Sequence, residues 1–146
     1  MVEFDIHRGK IVDLQGIAEL ENNCFEDPYS ENQISEDLAS DNNLVLVAYD
    51  GELLIGYIDY KIVLDEAELL RIAVLKQYRG LGLGSKMIAE SYNYLEGVKE
   101  IFLEVASNNK SAIQLYKKNS FDFVSVRTHY YKNGADAIVM KKEGIS

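Results

Sequence analysis

The sequence predicts a mixed α/β fold, with one central sheet and helices packed on its faces. Strand-like segments rich in β-branched and aromatic residues fill most of the stretch 44–74. A glycine-rich segment, a helical pattern, another strand and another helix separate this stretch from a closing group of strands. This order is typical of a mixed sheet covered by helices. No linker-like tract divides residues 1–146, so we expect a single domain.

The first half begins with two short helices and continues as a meander of strands. The first helix is predicted by four apolar residues at helical spacing: Ile11, Leu14, Ile17 and Ala18. Ser30 with Gln33 forms the capping-box signature of the second helix. Asp50-Gly51 predicts a tight hairpin between strands at 44–49 and 53–63. A third strand, at about 68–74, would follow through a turn and complete an antiparallel meander.

The second half alternates helices with strands. The first of its helices has an inner face made of Met87, Ile88, Ser91 and Leu95. A buried strand is predicted at 101–105, and Asn108 or Asn109 can cap the helix that follows. Segments 121–127 and 137–141 are predicted to form the closing pair of strands.

Charge and composition exclude several classes of function. The net charge of -9 argues against general nucleic-acid binding, which relies on lysine and arginine to neutralise phosphates. Cys24 is the only cysteine, and His7 and His129 lack ligand-like spacing, so neither disulfide, thiol nor metal chemistry is indicated. No apolar stretch approaches the roughly 20 residues of a membrane span, and the start lacks the basic residues of a signal peptide. We therefore expect a cytoplasmic protein without a metal, nucleic-acid or membrane partner.

The segment Arg79-Gly80-Leu81-Gly82-Leu83-Gly84 lies where a strand leads into a helix. It follows the apolar run 69–75 and precedes a helical pattern that opens at Ser85 and ends at Gly97. Glycines remove side-chain bulk, and the first N–H groups of a helix point outward with the positive end of its dipole behind them. Such a turn is suited to bind an anionic group, for example a pyrophosphate.

The spacing of this segment excludes two common nucleotide motifs. A dinucleotide fingerprint that starts at Gly80 requires glycine where Ser85 stands, and a P-loop requires glycine directly before Lys86. The residues instead match the pattern Arg or Gln, any two residues, Gly, any residue, Gly or Ala. This pattern resembles the acetyl-CoA loop of GNAT-type acyltransferases. The resemblance implies a mixed, mostly antiparallel sheet with helices on both faces, and acetyl-CoA as the co-substrate.

Glu104 is one carboxylate in an otherwise apolar strand. Alternation places Leu103 and Val105 on one face of the strand, and Phe102 and Glu104 on the other. A solvent-facing position is the ordinary explanation for a lone glutamate in a strand. The aromatic neighbour, and a location near the carboxyl end of the strand, favour the alternative that Glu104 is a general base in a site.

Tyr116 and Asn109 are two further polar candidates. Tyr116 shares the inward face of a helix with Ala112 and Ile113, and is either a core aromatic or a proton donor to a leaving group. Asn109 is either a helix N-cap or a hydrogen-bonding partner for the amide groups of a ligand.

A more specific resemblance covers most of the chain. The stretch Glu104-Val105-Ala106-Ser107-Asn108-Asn109, followed by Leu115-Tyr116, is similar to the second half of the ribosomal-protein-alanine N-acetyltransferase (RimI) family. Cys24-Phe25-Glu26-Asp27-Pro28-Tyr29-Ser30 and Ile72-Ala73-Val74 resemble earlier segments of that family. The chain departs from it at Ser120, where glycine is common, and at Tyr29, where many relatives have tryptophan.

This resemblance implies a role for each matching position. The backbone of Ile72, Ala73 and Val74 would hold the pantetheine arm, and Asn109 would contact the cofactor further along that arm. The pyrophosphate would bind at Arg79, Gly80, Leu81, Gly82, Leu83, Gly84 and Ser85. Glu104 would serve as the base, and Tyr116 as the acid that protonates the leaving thiolate.

The resemblance also implies the acceptor, which is the N-terminal alanine of a small-subunit ribosomal protein. A basic protein of this kind would suit the acidic charge. Tyr29 and Tyr131 are candidates to line the acceptor site, with ordinary packing as the alternative. Two other functions stay open. The chain can be an acetyltransferase for a lysine, a polyamine or another small amine, or a non-catalytic module that binds CoA.

Overall fold

The protein, described here by a computed structural model over residues 4–145, folds around a single seven-stranded sheet. Its strands are β1 (Asp5–Arg8), β2 (Asn43–Asp50), β3 (Leu53–Val63), β4 (Glu66–Val74), β5 (Glu100–Ala106), β6 (Asp122–Arg127) and β7 (Ala137–Glu143). The helices are α1 (Leu14–Cys24), α2 (Glu31–Ala39), α3 (Leu83–Ser91) and α4 (Lys110–Lys118). The spatial strand order is β1-β2-β3-β4-β5-β7-β6, and β4 with β5 is the single parallel pair within the described residues. The predicted mixed, mostly antiparallel α/β fold is thus confirmed.

Helices cover both faces of the sheet, as predicted. On one face, α1 and α2 pack over β2, β3 and the end of β4 through a core that includes Ile17, Leu20 and Ile34. On the other face, α3 and α4 enclose a larger core that includes Leu83, Met87 and Tyr116. The apolar side chains of alternating strand residues fill the two cores, which fixes the register of each strand.

The structure differs from the sequence predictions by one unpredicted strand and at the ends of two helices, while the predicted strands match within two residues at each end. Strand β1 was not predicted, since its sequence Asp-Ile-His-Arg is polar and short. Helix α3 begins at Leu83 rather than Ser85, and it ends at Ser91 in a 3-10 turn rather than at Gly97. Ile11 lies in a 3-10 turn and is exposed, so α1 itself begins at Leu14.

Helix α4 ends in a Schellman motif that is built without glycine. The Phe121 N–H donates to the Tyr116 carbonyl at 2.9 Å, and the Ser120 N–H donates to the Lys117 carbonyl at 3.1 Å. Ser120 consequently has a φ of 69°, in the left-handed region that this motif requires and that glycine favours. The departure from the family glycine therefore leaves the turn intact at a cost in backbone energy.

Ser120→Gly is expected to stabilise the fold by about 0.5–1 kcal/mol, because relief of the left-handed strain exceeds the added entropy of the unfolded chain. Thermal unfolding should show a midpoint increase of about 3 °C for a chain of this size. Ser120→Ala is the matched control, since alanine experiences the same strain as serine. An equal midpoint for Ser120→Gly and Ser120→Ala would contradict the explanation.

Within residues 4–145, none of the helices combines the length and the apolar character needed to cross a lipid bilayer.

Candidate active site

The candidate site forms where β4 and β5 separate. Their parallel pairing covers residues 66–69 of β4 and 100–103 of β5, and it stops there although both strands continue. Strand β5 keeps its other neighbour, β7, through Ala106. The carboxyl ends of the two parallel strands therefore diverge and leave a gap, at the edge where α/β sheets usually build their sites.

A β-bulge at Leu70 changes the direction of the side chains along β4. Leu70 is the extra residue opposite the Asp59–Tyr60 step of β3. Leu69 packs in the core beneath α3, and after the bulge Ile72 returns to that same core. Arg71 consequently faces α1 on the opposite side of the sheet.

The edge of β4 at the gap presents free backbone groups. The Leu75 N–H donates to the Ile55 carbonyl at 2.8 Å, so alternation directs the backbone of Ala73 toward β3 and that of Ile72 and Val74 toward the gap. These two residues are the ones in the predicted Ile72-Ala73-Val74 segment that can accept an extended ligand as an added strand.

The Arg79 side chain folds back onto β4. Its Nε donates to the Val74 carbonyl at 2.9 Å, and its Nη2 lies 3.6 Å from Cys24 Sγ. The Val74 carbonyl is therefore occupied, while the Val74 N–H and both backbone groups of Ile72 stay available. Arg79 thus holds the end of β4 in place, and the loop that follows must bind an anion mainly through its backbone.

The glycine loop has the geometry of an anion site. Gly80 and Gly82 have φ values of 80° and 81°, and a Cβ at either position would meet nothing within 4 Å. Glycine is therefore required at these two positions for the backbone conformation rather than because a side chain would not fit. Gly82 is the N-cap of α3 and supplies no side-chain cap, so the first N–H groups of the helix are free to bind a ligand.

Gly84 has a different role, because a Cβ there would lie 3.2 Å from Leu115 Cδ2. It allows α3 and α4 to approach closely, and both Gly84 and Leu115 line the cleft. Leu81, by contrast, is 54% exposed and lies outside the cleft lining.

A cavity of about 630 Å³ extends from the gap to the glycine loop. Among the predicted cofactor residues it is lined by Ile72, Ala73, Val74, Arg79, Gly80, Gly82, Leu83, Gly84, Ser85 and Asn109. Sequence reasoning missed Cys24, Phe25 and Tyr78 in this lining, and five residues of α4, namely Ser111, Ala112, Gln114, Leu115 and Lys118. Their spacing along the helix was the available signal, because residues three and four apart share one face.

Asn109 caps helix α4. Its Oδ1 accepts a hydrogen bond from the Ala112 N–H at 3.2 Å. The cap uses the amide oxygen, and the side chain also lines the cavity. Both explanations considered for Asn109 are therefore compatible, since the cap leaves the amide NH2 as a donor.

Glu104 lies on the face of β5 opposite to Leu103 and Val105, which are buried. Its side chain is 24% exposed, and its Oε1 forms an ion pair with Arg127 Nη1 at 3.3 Å. Glu104 does not line the large cavity. It lines a second one of about 300 Å³ on the α1 and α2 face, together with Phe102 and Arg127.

Tyr116 is 6% exposed, and its ring packs against Phe121 with 5.8 Å between the ring centroids. Burial, and to a lesser degree the charge of ionised Tyr131, raise the pKa of Tyr116 above its ordinary value. Burial and the nearby Glu104 carboxylate raise the pKa of Tyr131. Tyr131 therefore lies within electrostatic reach of both Glu104 and Tyr116, and both phenols keep their protons at neutral pH.

Tyr29 lies between α1 and α2, away from the large cavity. Its ring stacks on the Arg71 guanidinium at 4.2 Å, and its backbone N–H donates to Glu21 at 2.8 Å. Burial raises the pKa of Tyr29, and Arg71 acts in the opposite direction. The structure thus places Tyr131 near Glu104, and Tyr29 in the connection between α1 and α2, in contact with Arg71 and Glu21.

Three comparisons link this geometry to known proteins. The Acetyltransferase (GNAT) family matches residues 14–121. An N-alpha-acetyltransferase of Sulfurisphaera tokodaii is 32% identical over 154 residues, which cover 94% of this chain and 92% of the relative. N-alpha-acetyltransferase RimI of Mycobacterium tuberculosis is 33% identical over 138 residues, which cover 90% of this chain and 87% of the relative.

The structural comparison agrees with the sequence comparisons. The crystal structure of the ribosomal-protein-S18-alanine N-acetyltransferase of Escherichia coli has a TM-score of 0.89 and 29% identity, over 97% of this chain and 94% of that chain. The family match spans the gap, the glycine loop and helix α4, which are the parts that form the cavity. The chain belongs to the GNAT family of acetyltransferases, as an acetyl-CoA-dependent N-acetyltransferase similar to the RimI proteins.

Proposed function

We propose that the protein transfers the acetyl group of acetyl-CoA to the α-amine of a protein N-terminus, and that the acceptor is the N-terminal alanine of a small-subunit ribosomal protein. One observation carries the proposal. The predicted cofactor residues, Leu81 excepted, line the large cavity beside the β4–β5 gap, and Glu104 is the first residue of β5 after the last β4–β5 pair, at the edge of the same gap. Two relatives at about 30% identity support the choice of acceptor: one is named N-alpha-acetyltransferase RimI, and the other a putative ribosomal protein bS18-alanine N-acetyltransferase.

The large cavity would hold acetyl-CoA along its length. The free backbone groups of Ile72 and Val74 would hydrogen-bond the pantetheine arm, and the N–H groups at the start of α3 would bind the pyrophosphate. Ser85 and Lys118 add polar and cationic groups at that end. The acetyl group would then lie in the gap, within reach of the opposite face.

The acceptor would approach the gap from the α1 and α2 face, on which both Glu104 and Tyr29 lie. Glu104 would take a proton from the α-ammonium, directly or through a water, because only the neutral amine attacks a thioester. The neutral amine would attack the thioester carbonyl carbon, which forms the C–N bond and a tetrahedral intermediate. As this intermediate collapses, the C–S bond breaks and the Tyr116 hydroxyl would give its proton to the departing sulfur. The second proton of the amine nitrogen would return to the Tyr116 phenolate through water, and Glu104 would release its proton to solvent. No covalent enzyme intermediate is required, and holding both substrates in one gap supplies much of the acceleration.

The test is an assay of thiol release from acetyl-CoA with four acceptors in parallel. These are a peptide that begins with alanine, one that begins with serine, an N-terminally blocked peptide with an internal lysine, and spermidine. We expect CoA thiol to be released with the alanine and serine peptides, and mass spectrometry to locate the added acetyl group on their α-amine. Release with spermidine or lysine alone would replace the proposed acceptor by a small amine, and release with none would favour a non-catalytic CoA-binding module.

A further inference from the structure

Arg71 is a largely buried cation that the catalytic scheme does not use. Its side chain is 19% exposed, and it stands between the bulge at Leu70 and the cofactor-facing Ile72. The bulge reverses the alternation, so Arg71 points to α1 while its neighbour Ile72 packs on the other face. Strand β4 therefore carries two adjacent features: the backbone edge at Ile72 that faces the cofactor cavity, and the Arg71 guanidinium that faces α1 on the other side of the sheet.

Glu21 of α1 anchors this guanidinium. Its side chain has no exposed surface, and it accepts from Arg71 Nε at 3.0 Å and from Arg71 Nη2 at 2.9 Å. It also accepts from the Tyr29 N–H at 2.8 Å and from the Tyr57 hydroxyl. Four hydrogen bonds, two of them from Arg71, offset the cost of burying the Glu21 carboxylate. Because two of the donors belong to one planar guanidinium, they also fix its position.

The same guanidinium holds the connection between α1 and α2. Its central carbon lies 3.8 Å from the ring centroid of Phe25 and 4.2 Å from that of Tyr29. Its Nη2 also donates to the Asp27 carbonyl at 2.9 Å. Three residues of one short connection thus depend on a single side chain from β4.

Phe25 links this cluster to the candidate site, because it lines the large cavity together with Ile72 and Val74. We propose that Arg71 is a positioning residue that sets the acceptor side of the active site, by clamping segment 25–29 against the strand that carries the cofactor. This inference rests on the proposed function. The clamp would fix how far Phe25 and Tyr29 stand from the gap, and therefore the size of the first acceptor side chain that fits.

The test compares Arg71→Lys with the wild-type protein. Lysine keeps the positive charge but loses the two-point pairing and the planar stacking. We expect the KM for a peptide that begins with alanine to rise about tenfold or more, while the KM for acetyl-CoA and kcat change less than about twofold. Discrimination between peptides that begin with alanine and with leucine should fall. Arg8→Lys, on strand β1, is the matched control and should change none of these values.

Amide hydrogen exchange, measured on the same variants, tests the clamp independently of the proposed acetyltransferase function. The clamp predicts faster exchange of residues 25–30 in Arg71→Lys, with unchanged exchange in β5 and α4 as evidence of an intact fold. Unchanged exchange in 25–30, or an acceptor KM equal to that of the wild type, would overturn the clamp. If the wild type acetylates no peptide, the proposed function fails, and the exchange result alone decides whether Arg71 holds the segment.

Discussion

Glu104→Gln is expected to lower kcat by about 10²–10⁴-fold, the usual contribution of a positioned general base. Glutamine has nearly the same shape, and its amide oxygen can still accept a hydrogen bond from Arg127, but it cannot take a proton from the acceptor amine. The KM for acetyl-CoA should stay close to the wild-type value, because Glu104 lies outside the large cavity. Steady-state thiol release with an alanine peptide measures both values.

Glu100→Gln is the matched control for this prediction. Glu100 lies on the same face of β5, four residues earlier, and pairs with Lys141. Its replacement should leave kcat within about twofold of the wild type. Gly82→Glu should have the opposite effect and abolish acetyl-CoA binding. It places a carboxylate at the N-cap of α3 and disfavours the left-handed conformation that this position adopts. If Glu104→Gln keeps wild-type kcat, Glu104 is not the base.

Asp59→Asn is expected to stabilise the fold at neutral and alkaline pH. Asp59 and Asp37 are buried between β3 and α2, and Asp37 Oδ2 has no other donor among residues 4–145. Burial, and then the hydrogen bond with Asp37, raise the pKa of Asp59 to about 8. The folded protein therefore keeps a proton on this pair. Asparagine would replace that proton by a permanent N–H donor, and its oxygen can still accept from Asn43.

The direction of the pH effect follows from the raised pKa. An unfolded aspartate ionises near about pH 4, so between about pH 4 and 8 the folded chain binds a proton that the unfolded chain lacks. The stabilisation from this group is complete below about pH 4 and is lost as the pH rises to about 8, by at most about 1.4 kcal/mol per pH unit.

Urea unfolding at several values between about pH 5 and 9 should therefore show that the advantage of Asp59→Asn grows with pH. Asp41→Asn, an exposed substitution just after α2, is the control and should follow the wild-type curve. Parallel stability curves for the wild type and Asp59→Asn would mean that the two carboxyl groups share no proton.

Local patterns in the sequence predicted most of the fold. The hairpin between β2 and β3, the three-stranded meander and the alternation around Glu104 are all confirmed, because each depends on residues close together in the chain. The two turn residues of the hairpin are Gly51 and Glu52 rather than Asp50 and Gly51, since Asp50 pairs with Leu53. Strand β1 was missed because an edge strand of four residues with two charged ends has little apolar pattern to detect. The start of α3 shifted by two residues because the left-handed Gly82, rather than the first polar residue, sets the N-cap.

The parts of the site that depend on distant contacts could not be predicted. Arg71 reaches Glu21 only because the bulge at Leu70 reverses the alternation, and a bulge leaves no clear signal in one sequence. The proximity of Asp37 and Asp59 likewise depends on how α2 packs against the sheet. The predicted cofactor residues lie together because most of them are contiguous around one strand-to-helix turn.

Because β4 and β5 part after four paired positions, the sheet is interrupted at the candidate site. Under the proposed mechanism, two reactants can approach this opening from opposite directions and be bound at the same time. Neither product then has to pass the other on its way out, so acetylated chain and free CoA leave by separate routes. A sheet with this opening favours a ternary complex and kinetics with intersecting, rather than parallel, double-reciprocal lines.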